Sequence, residues 1–311
     1  MLRRLFGLSI ISLVALACSR DDTASAHPRR GSGSPDDVPP RPSVIAPATE
    51  AYKVVPVTAG GVIAGTVDLE GAAPVADVIR PSVDEKACGM TLLAKSVTLS
   101  GTHIGGAIVW LTDIRSGKDF PLEQRYELTN DGCTLDPFVQ VIATNGTINV
   151  ANDDKTLHTN RFINVGTGQL AAIAPFNDDG EVVPVDRFKE PGEIEVVCEQ
   201  HPWTRAWIAV LDHPYFAQTA ANGTFSIPAV PPGKYHIRAW HPSLGYSDDS
   251  VTVAAGQQAS VAFRIRNGVS SGRKPDSAGP AVIQPAASST PTASSTPASS
   301  APTTGPPPPQ R

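Results

Sequence analysis

Short runs of alternating apolar and polar residues recur along the middle of the chain. They include GVIAGTVDL (61–69), KSVTLS (95–100), QRYELT (124–129), GTINVAN (146–152), GTFSIP (223–228), KYHIRAW (234–240) and SVTVAA (250–255). Others are nearly continuous apolar runs: GAIVWLT (106–112), FVQVIA (138–143), EIEVVC (193–198) and AWIAVL (206–211). Each is rich in Val, Ile, Thr and aromatic residues and is bounded by Gly, Pro, Asn or Asp, which is the signature of strands separated by turns. Asn145-Gly146 and Asn222-Gly223 are tight-turn signals. Both also fit the N-x-T acceptor pattern, but behind a bacterial-type leader the turn reading is preferred. No segment sustains a 3.6-residue period, so the predicted class is all-β, built as β-sandwiches.

The two ends break this pattern. MLRR followed by LFGLSIISLVALA is a short positive region and an apolar run too short to span a bilayer comfortably. It ends in small residues directly before Cys18. That arrangement resembles a bacterial lipobox, with residues 1–17 as signal peptide and Cys18 as the lipidated first residue. Residues 18–51 are rich in Pro, Ser, Asp and Arg and read as a disordered tether. Residues 268–311, including SSTPTASSTPASSAPTTGPPPPQR, are low in complexity and read as a disordered tail. The expected setting is the bacterial cell envelope, as a periplasmic or surface lipoprotein held to a membrane through Cys18.

Composition narrows the function classes. The 311-residue chain is 41% hydrophobic, enough for a core, and carries a net charge of −5 with no basic patch suited to nucleic acid. No G-x-S-x-G or H-E-x-x-H motif appears, so an enzyme is not expected. Four Cys, seven His and two Met can be weighed singly. With Cys18 assigned to the anchor, Cys88, Cys133 and Cys198 remain in an oxidising compartment. Cys88 and Cys133 lie in turn-like contexts, EKACGM and NDGCTL, whereas Cys198 ends a strand and precedes a His. The economical assignment is a Cys88–Cys133 disulfide with Cys198 left as a metal-binding thiolate. A disulfide involving Cys198 is the alternative.

Cys198-x-x-His201, in CEQHPWTRAW, joins a thiol to an imidazole, and NVANDDKTLHTN supplies His158 forty residues upstream, after a strand and an acidic turn. A thiolate with two imidazoles and a weak axial donor is the blue-copper ligand set. These residues resemble the cupredoxin (plastocyanin/azurin-like) family. More narrowly, CEQHPWTRAWIAVLDHPYFA with NGTFSIPAVPPGKYHIRAWHPSLG resembles bacterial exported "methylamine utilisation-like" proteins, which combine a copper sandwich with a carboxypeptidase-regulatory-like (transthyretin-like) one.

The resemblance implies a cupredoxin Greek-key sandwich packed with or inserted into a small transthyretin-like sandwich. The first strand of the latter is GGVIAGTVDLEGAAP and its later hairpin GTFSIPAVPPGKYHIRAW. Expected boundaries are 52–118 for the N-terminal β part, 119–212 for the copper domain and 213–267 for the β part that completes the regulatory-like sandwich. Carried over position by position, His158, Cys198 and His201 fall on ligands of Cu(I)/Cu(II). His201 falls on the surface histidine through which electrons leave, and Trp203 and Trp207 flank the loop and should wall it from water. Two positions depart from the family. Thr204 stands where the axial Met is usual, the plastocyanin-like spacing would point to Ala206, and Met90 is far upstream. The family's His-Asn pair is here His158-Thr159-Asn160.

The implied function is one-electron transfer to an envelope redox partner by a monomer. The alternatives are a metal-free surface scaffold with a degenerate site, and copper storage or delivery. His103, His213, His236 and His241 read as structural residues, His27 falls in the tether, and the acidic pairs Asp153-Asp154 and Asp178-Asp179 read as solvated turns.

Overall fold

Two separate cores organise the strands. A computed structural model describes residues 43–46, 50–121 and 124–267. The expected signal peptide, Cys18, His27, most of the expected tether and the expected tail lie outside the described residues. Within them the fold is all-β, the exception being the one-turn helix Glu85–Cys88. No helix among the described residues is long and apolar enough to cross a membrane.

The first sandwich, here the host, is closed by strands from both ends of the folded region. One sheet runs Phe216–Gln218, Ile108–Leu111, Gly233–His241, Gly245–Val253. The other runs Thr224–Val230, Gly61–Glu70, His103–Gly105, Thr98–Ser100, and Gln258–Arg266 pairs parallel with Gly61–Glu70. Gln258–Arg266 alternates strictly between exposed and buried, placing Ala259, Val261, Phe263 and Ile265 in a core with Ile63, Val67, Ile227 and Ile237. Gly65 is required by the closeness of that pairing, because a Cβ there would lie 1.7 Å from the carbonyl oxygen of Val261.

The second sandwich is inserted into the first. The chain leaves the host after Ile108–Leu111 and returns at Phe216–Gln218, which pairs back onto it with Phe216 opposite Trp110. Between them, one sheet runs Thr134–Asp136, Tyr126–Asp131, Ile148–Asn152, Val182–Val185. The facing sheet runs Val139–Ala143, Arg205–Leu211, Gly192–Cys198, His158–Asn164, Leu170–Phe176. Leu128, Ile148, Phe162, Val196, Ala206 and Ile208 fill the space between the sheets.

The near-continuous apolar runs have a specific cause. Ile108, Trp110, Val139, Val141, Ala209, Leu211 and Trp240 form a third cluster where the two sandwiches pack against each other. Ile108–Leu111 and Val139–Ala143 are therefore covered on both faces and lack alternation. Ile45 joins this cluster at 4% exposure. Ser43 Oγ and the Val44 amide bond the Glu193 carboxylate at 3.2 and 3.1 Å, and the Val44 carbonyl accepts from Arg238 Nη1 at 2.6 Å. The expected free tether over 18–51 is thus corrected at 43–46, where an apolar side chain and satisfied backbone groups dock the segment onto the folded part.

Candidate metal centre

The site is assembled at one end of the inserted sandwich from two adjacent strands and the loop that follows. His158 is the first residue of the strand His158–Asn164, and Cys198 is the last of the antiparallel strand Gly192–Cys198. In that ladder Asn160 is opposite Cys198. The chain then turns so that the Thr204 amide donates to the His201 carbonyl at 2.8 Å and the Cys198 amide to the Thr204 carbonyl at 3.2 Å. The turn brings His201 back over Cys198.

The result is a triangle of donor atoms. His158 Nδ1 lies 3.4 Å from Cys198 Sγ, His201 Nδ1 lies 3.6 Å from it, and the two Nδ1 atoms are 3.2 Å apart. A point equidistant from the three atoms, the circumcentre of that triangle, is about 2.0 Å from each, close to metal–imidazole and a little short of metal–thiolate bond lengths. All three side chains are buried, with His158 and His201 at 0% and Cys198 at 3% exposure. Buried heteroatoms brought this close need either a shared proton or a cation between them.

Each imidazole is held from behind by a carboxylate. His158 Nε2 is 3.0 Å from Asp154 Oδ2, and His201 Nε2 is 3.2 Å from Asp84 Oδ2. A ring that donates its Nε2–H to a carboxylate presents the lone pair of Nδ1 on the other side, so both carboxylates select the tautomer that faces Cys198. Asp154 is itself fixed, because Oδ1 accepts from the Gly132 amide at 2.7 Å and Oδ2 from the Cys133 amide at 2.9 Å. The donor set of two nitrogens and one thiolate sulfur, each nitrogen oriented, fits a copper ion.

The Cys88–Cys133 disulfide is formed, and Cys198 is the free cysteine among the described residues. Thr204 is 1% exposed, and its hydroxyl donates to the Cys133 carbonyl at 2.5 Å. Ala206 is buried in the core of the inserted sandwich, and Met90 is 79% exposed. Among the described residues no thioether faces the triangle. Asn160 is fully buried and donates to Asn130 Oδ1 at 3.0 Å, tying the His158 strand to the opposite sheet.

Three expectations are corrected. His201 is not a surface histidine: Asp84 covers its Nε2 side and the Trp203 ring packs 5.2 Å from it. Trp207 does not wall the site, but meets Trp240 edge-on at 6.3 Å where the sandwiches join, since alternation along Arg205–Leu211 turns it to that face. Asp154 is not a solvated turn residue, being 7% exposed and bonded to a ligand. Its spacing four residues before His158 was the available signal; Asp84, 117 residues from His201, offered none. The other histidines sit elsewhere. His103 pairs with Asp68 and His236 with Asp113. Buried His213 and His241 accept backbone amides at Nδ1, and burial lowers His241 to about 4.

Charge in the metal-free site is shared unequally. Burial raises the Cys198 thiol, but the hydrogen bond from His158, the contact with His201 and nearby backbone amides outweigh it and bring it down to about 6. Burial lowers His158, but the bonds to Asp154 and then Cys198 hold it up to about 9. Between those values the site is a thiolate beside an imidazolium, with the His158 Nδ1 proton standing where a metal would bind. Metal must displace that proton. Copper affinity should therefore rise about tenfold per pH unit from about pH 6 to about pH 9, and more steeply below pH 6, where the thiol proton must leave too. Titration in weak buffer at pH 7.5 should release about one proton per copper; release of none would contradict the pairing.

The family model described as polysaccharide lyase family 4, domain II, a fibronectin type III-like domain, matches residues 195–261, which run from the end of the inserted sandwich into the host. No curated protein matches the chain. Solved structures similar to part of it include a copper-containing nitrite reductase from Thermus scotoductus, at 22% identity over 32% of this chain and 25% of that one, TM-score 0.26. A purple cupredoxin from Nitrosopumilus maritimus is 20% identical over 28% of this chain and 99% of its own, TM-score 0.24. A mutant of amicyanin with Cu(I) is 16% identical over 28% of this chain and 82% of its own, TM-score 0.25.

Proposed function

We propose that this chain is an exported, membrane-anchored copper protein that carries single electrons in the cell envelope. The observation that carries this reading is the buried Nδ1, Nδ1, Sγ triangle of His158, His201 and Cys198, with both Nε2 atoms bonded to carboxylates. Copper bound there supplies a one-electron Cu(I)/Cu(II) couple, and two imidazoles with one thiolate suit both oxidation states.

The protein's own groups favour carriage over catalysis. Complete burial of both imidazoles excludes water and leaves a substrate no approach to the ligand atoms. Two carboxylates and a ladder-fixed cysteine hold the donors in place, which keeps rearrangement small when charge changes. With His201 covered, Trp203, packed on its ring, is the side chain between that ligand and a surface groove lined by Phe138, Trp207 and Pro242. A redox partner protein of the envelope would dock there. The export signal, the anchor at Cys18, the monomeric state and a regulatory-like role for the host sandwich belong to the same proposal and rest on the sequence.

The test is spectroscopic. Cu(II) added to the mature protein should produce an intense visible thiolate-to-copper charge-transfer band that Cys198→Ser abolishes, and the colour should bleach and return reversibly in a one-electron titration. No coloured species in the wild type would leave a metal-free scaffold as the reading. Copper bound but surrendered rapidly to a chelator, without reversible redox behaviour, would indicate storage or delivery.

A further inference from the structure

We propose that Asp84 is a positioning residue of this centre and that the disulfide-held segment bearing it is the centre's cover. This rests on the copper reading above and specifies how its second imidazole is held. Asp84 occupies the N-cap of the helix Glu85–Cys88, where a carboxylate ordinarily accepts an amide of the first turn. Here it makes no such bond. Its carbonyl accepts the Ala87 and Cys88 amides, each at 2.9 Å, while its carboxylate turns away to His201 Nε2 at 3.2 Å.

The backbone conformation agrees. Asp84 has φ 53° and ψ 33°, a left-handed conformation unfavourable for a side-chain-bearing residue, although Asp tolerates it better than most. A cap relinquished and an unfavourable backbone are two local costs, and the contact they make possible is the one with His201.

The cover is tied to the ligands through sulfur. Cys88, at the end of the helix, is bonded to Cys133. Both sulfurs lie within 4.8 Å of a ring nitrogen of His201, and the Cys133 sulfur lies within 4.8 Å of one of His158. The Cys133 amide holds Asp154, and the Cys133 carbonyl receives the Thr204 hydroxyl. One covalent link therefore joins the two backbone segments that set the carboxylates behind both imidazoles. Asp154 belongs to the inserted sandwich itself, whereas Asp84 lies upstream of the insertion, between the host strands Gly61–Glu70 and Thr98–Ser100. His201 is thus oriented from outside its own sandwich.

The experiment uses the full mature protein. In the metal-free state, 15N NMR of the imidazoles should show His201 wild-type Nε2–H. Asp84→Ala should shift it towards a mixture with Nδ1–H, and Asp84→Asn, whose amide oxygen still accepts, should restore the wild-type form. Alkylation of Cys198 in the metal-free protein should accelerate in Asp84→Ala and again after phosphine reduction of the disulfide. Copper affinity, by competition with a chelator, should fall about 10- to 100-fold in Asp84→Ala. If the wild type binds copper and Asp84→Ala changes neither tautomer nor affinity, the assignment is overturned. If the wild type binds no copper, the copper reading fails, and the tautomer and alkylation results decide the role of Asp84 by themselves. Thermal unfolding of both variants identifies a folding defect, in which case the wild-type tautomer and the rate of Cys198 alkylation before and after phosphine reduction carry the test.

Discussion

Replacing Asp154 by Ala should weaken copper binding about 10- to 100-fold and destabilise the metal-free protein by on the order of 2–5 kcal/mol. The carboxylate is 7% exposed and accepts three hydrogen bonds, from the Gly132 amide, the Cys133 amide and His158 Nε2. Alanine leaves all three donors without that acceptor. A buried donor left unsatisfied costs about 1–3 kcal/mol, and partial relaxation or water entry brings the sum below three full penalties. His158 also loses the charge that holds its proton and fixes its ring, so the triangle loosens at one corner.

The pH dependence of that loss has a definite sign. Burial raises the Asp154 carboxyl, but the His158 hydrogen bond, the Cys133 and Gly132 amides and the His158 charge outweigh it, and its value lies below the ordinary one. A carboxyl lowered by folding contributes stability above its unfolded value and loses it as pH falls through its folded value. The wild-type advantage over Asp154→Ala should therefore shrink in acid. Asp154→Asn keeps one acceptor oxygen and places an amide among donors, so it should fall between the two. Urea denaturation at pH 7 and pH 3, with a competitive copper titration, measures both effects. An alanine variant with wild-type copper affinity would show that His158 does not depend on the carboxylate for its orientation.

Much of this architecture could be read from residue patterns. Alternation in Thr224–Val230 and Tyr126–Asp131 survives because each strand has one covered face. The strand His158–Asn164 escaped notice because five of its seven residues are buried, among them the polar His158, Asn160 and Arg161. Those residues answer to the metal site and its hydrogen bonds, not to a hydrophobic face. Cys198 and His201 were legible because one turn brings them together. Asp84 was not: a Cys88–Cys133 disulfide was expected, but the crosslink alone does not say which side chain of its segment reaches His201, 117 residues away. Trp207 was misplaced for the opposite reason. Nearness in sequence to the loop suggested the site, but strand alternation sends it to the seam between the sandwiches.

Removing the disulfide, by Cys88→Ala with Cys133→Ala, should cost the metal-free protein about 4 kcal/mol, the loop-closure value for a 45-residue separation. For a folded region of this size that lowers the thermal midpoint by about 8–16 °C. The loss should appear as one transition, because Trp110, Val141, Leu211 and Trp240 bury apolar surface common to both sandwiches and couple their unfolding. Copper should restore part of it. All three ligands belong to the inserted sandwich and none of them is a disulfide cysteine, so the double variant retains the donors. Free copper at a hundred times its dissociation constant adds about 2.7 kcal/mol to any form that binds it only when folded. The variant should need more copper to reach that point than the wild type, since the segment holding Asp84 against His201 is no longer anchored. Calorimetric scans of both proteins over a copper series separate the two contributions. Equal metal-free midpoints would mean that the crosslink does not stabilise the fold. Equal copper requirements would mean that the segment stays in place without it, held by the His201–Asp84 contact and the packing around it.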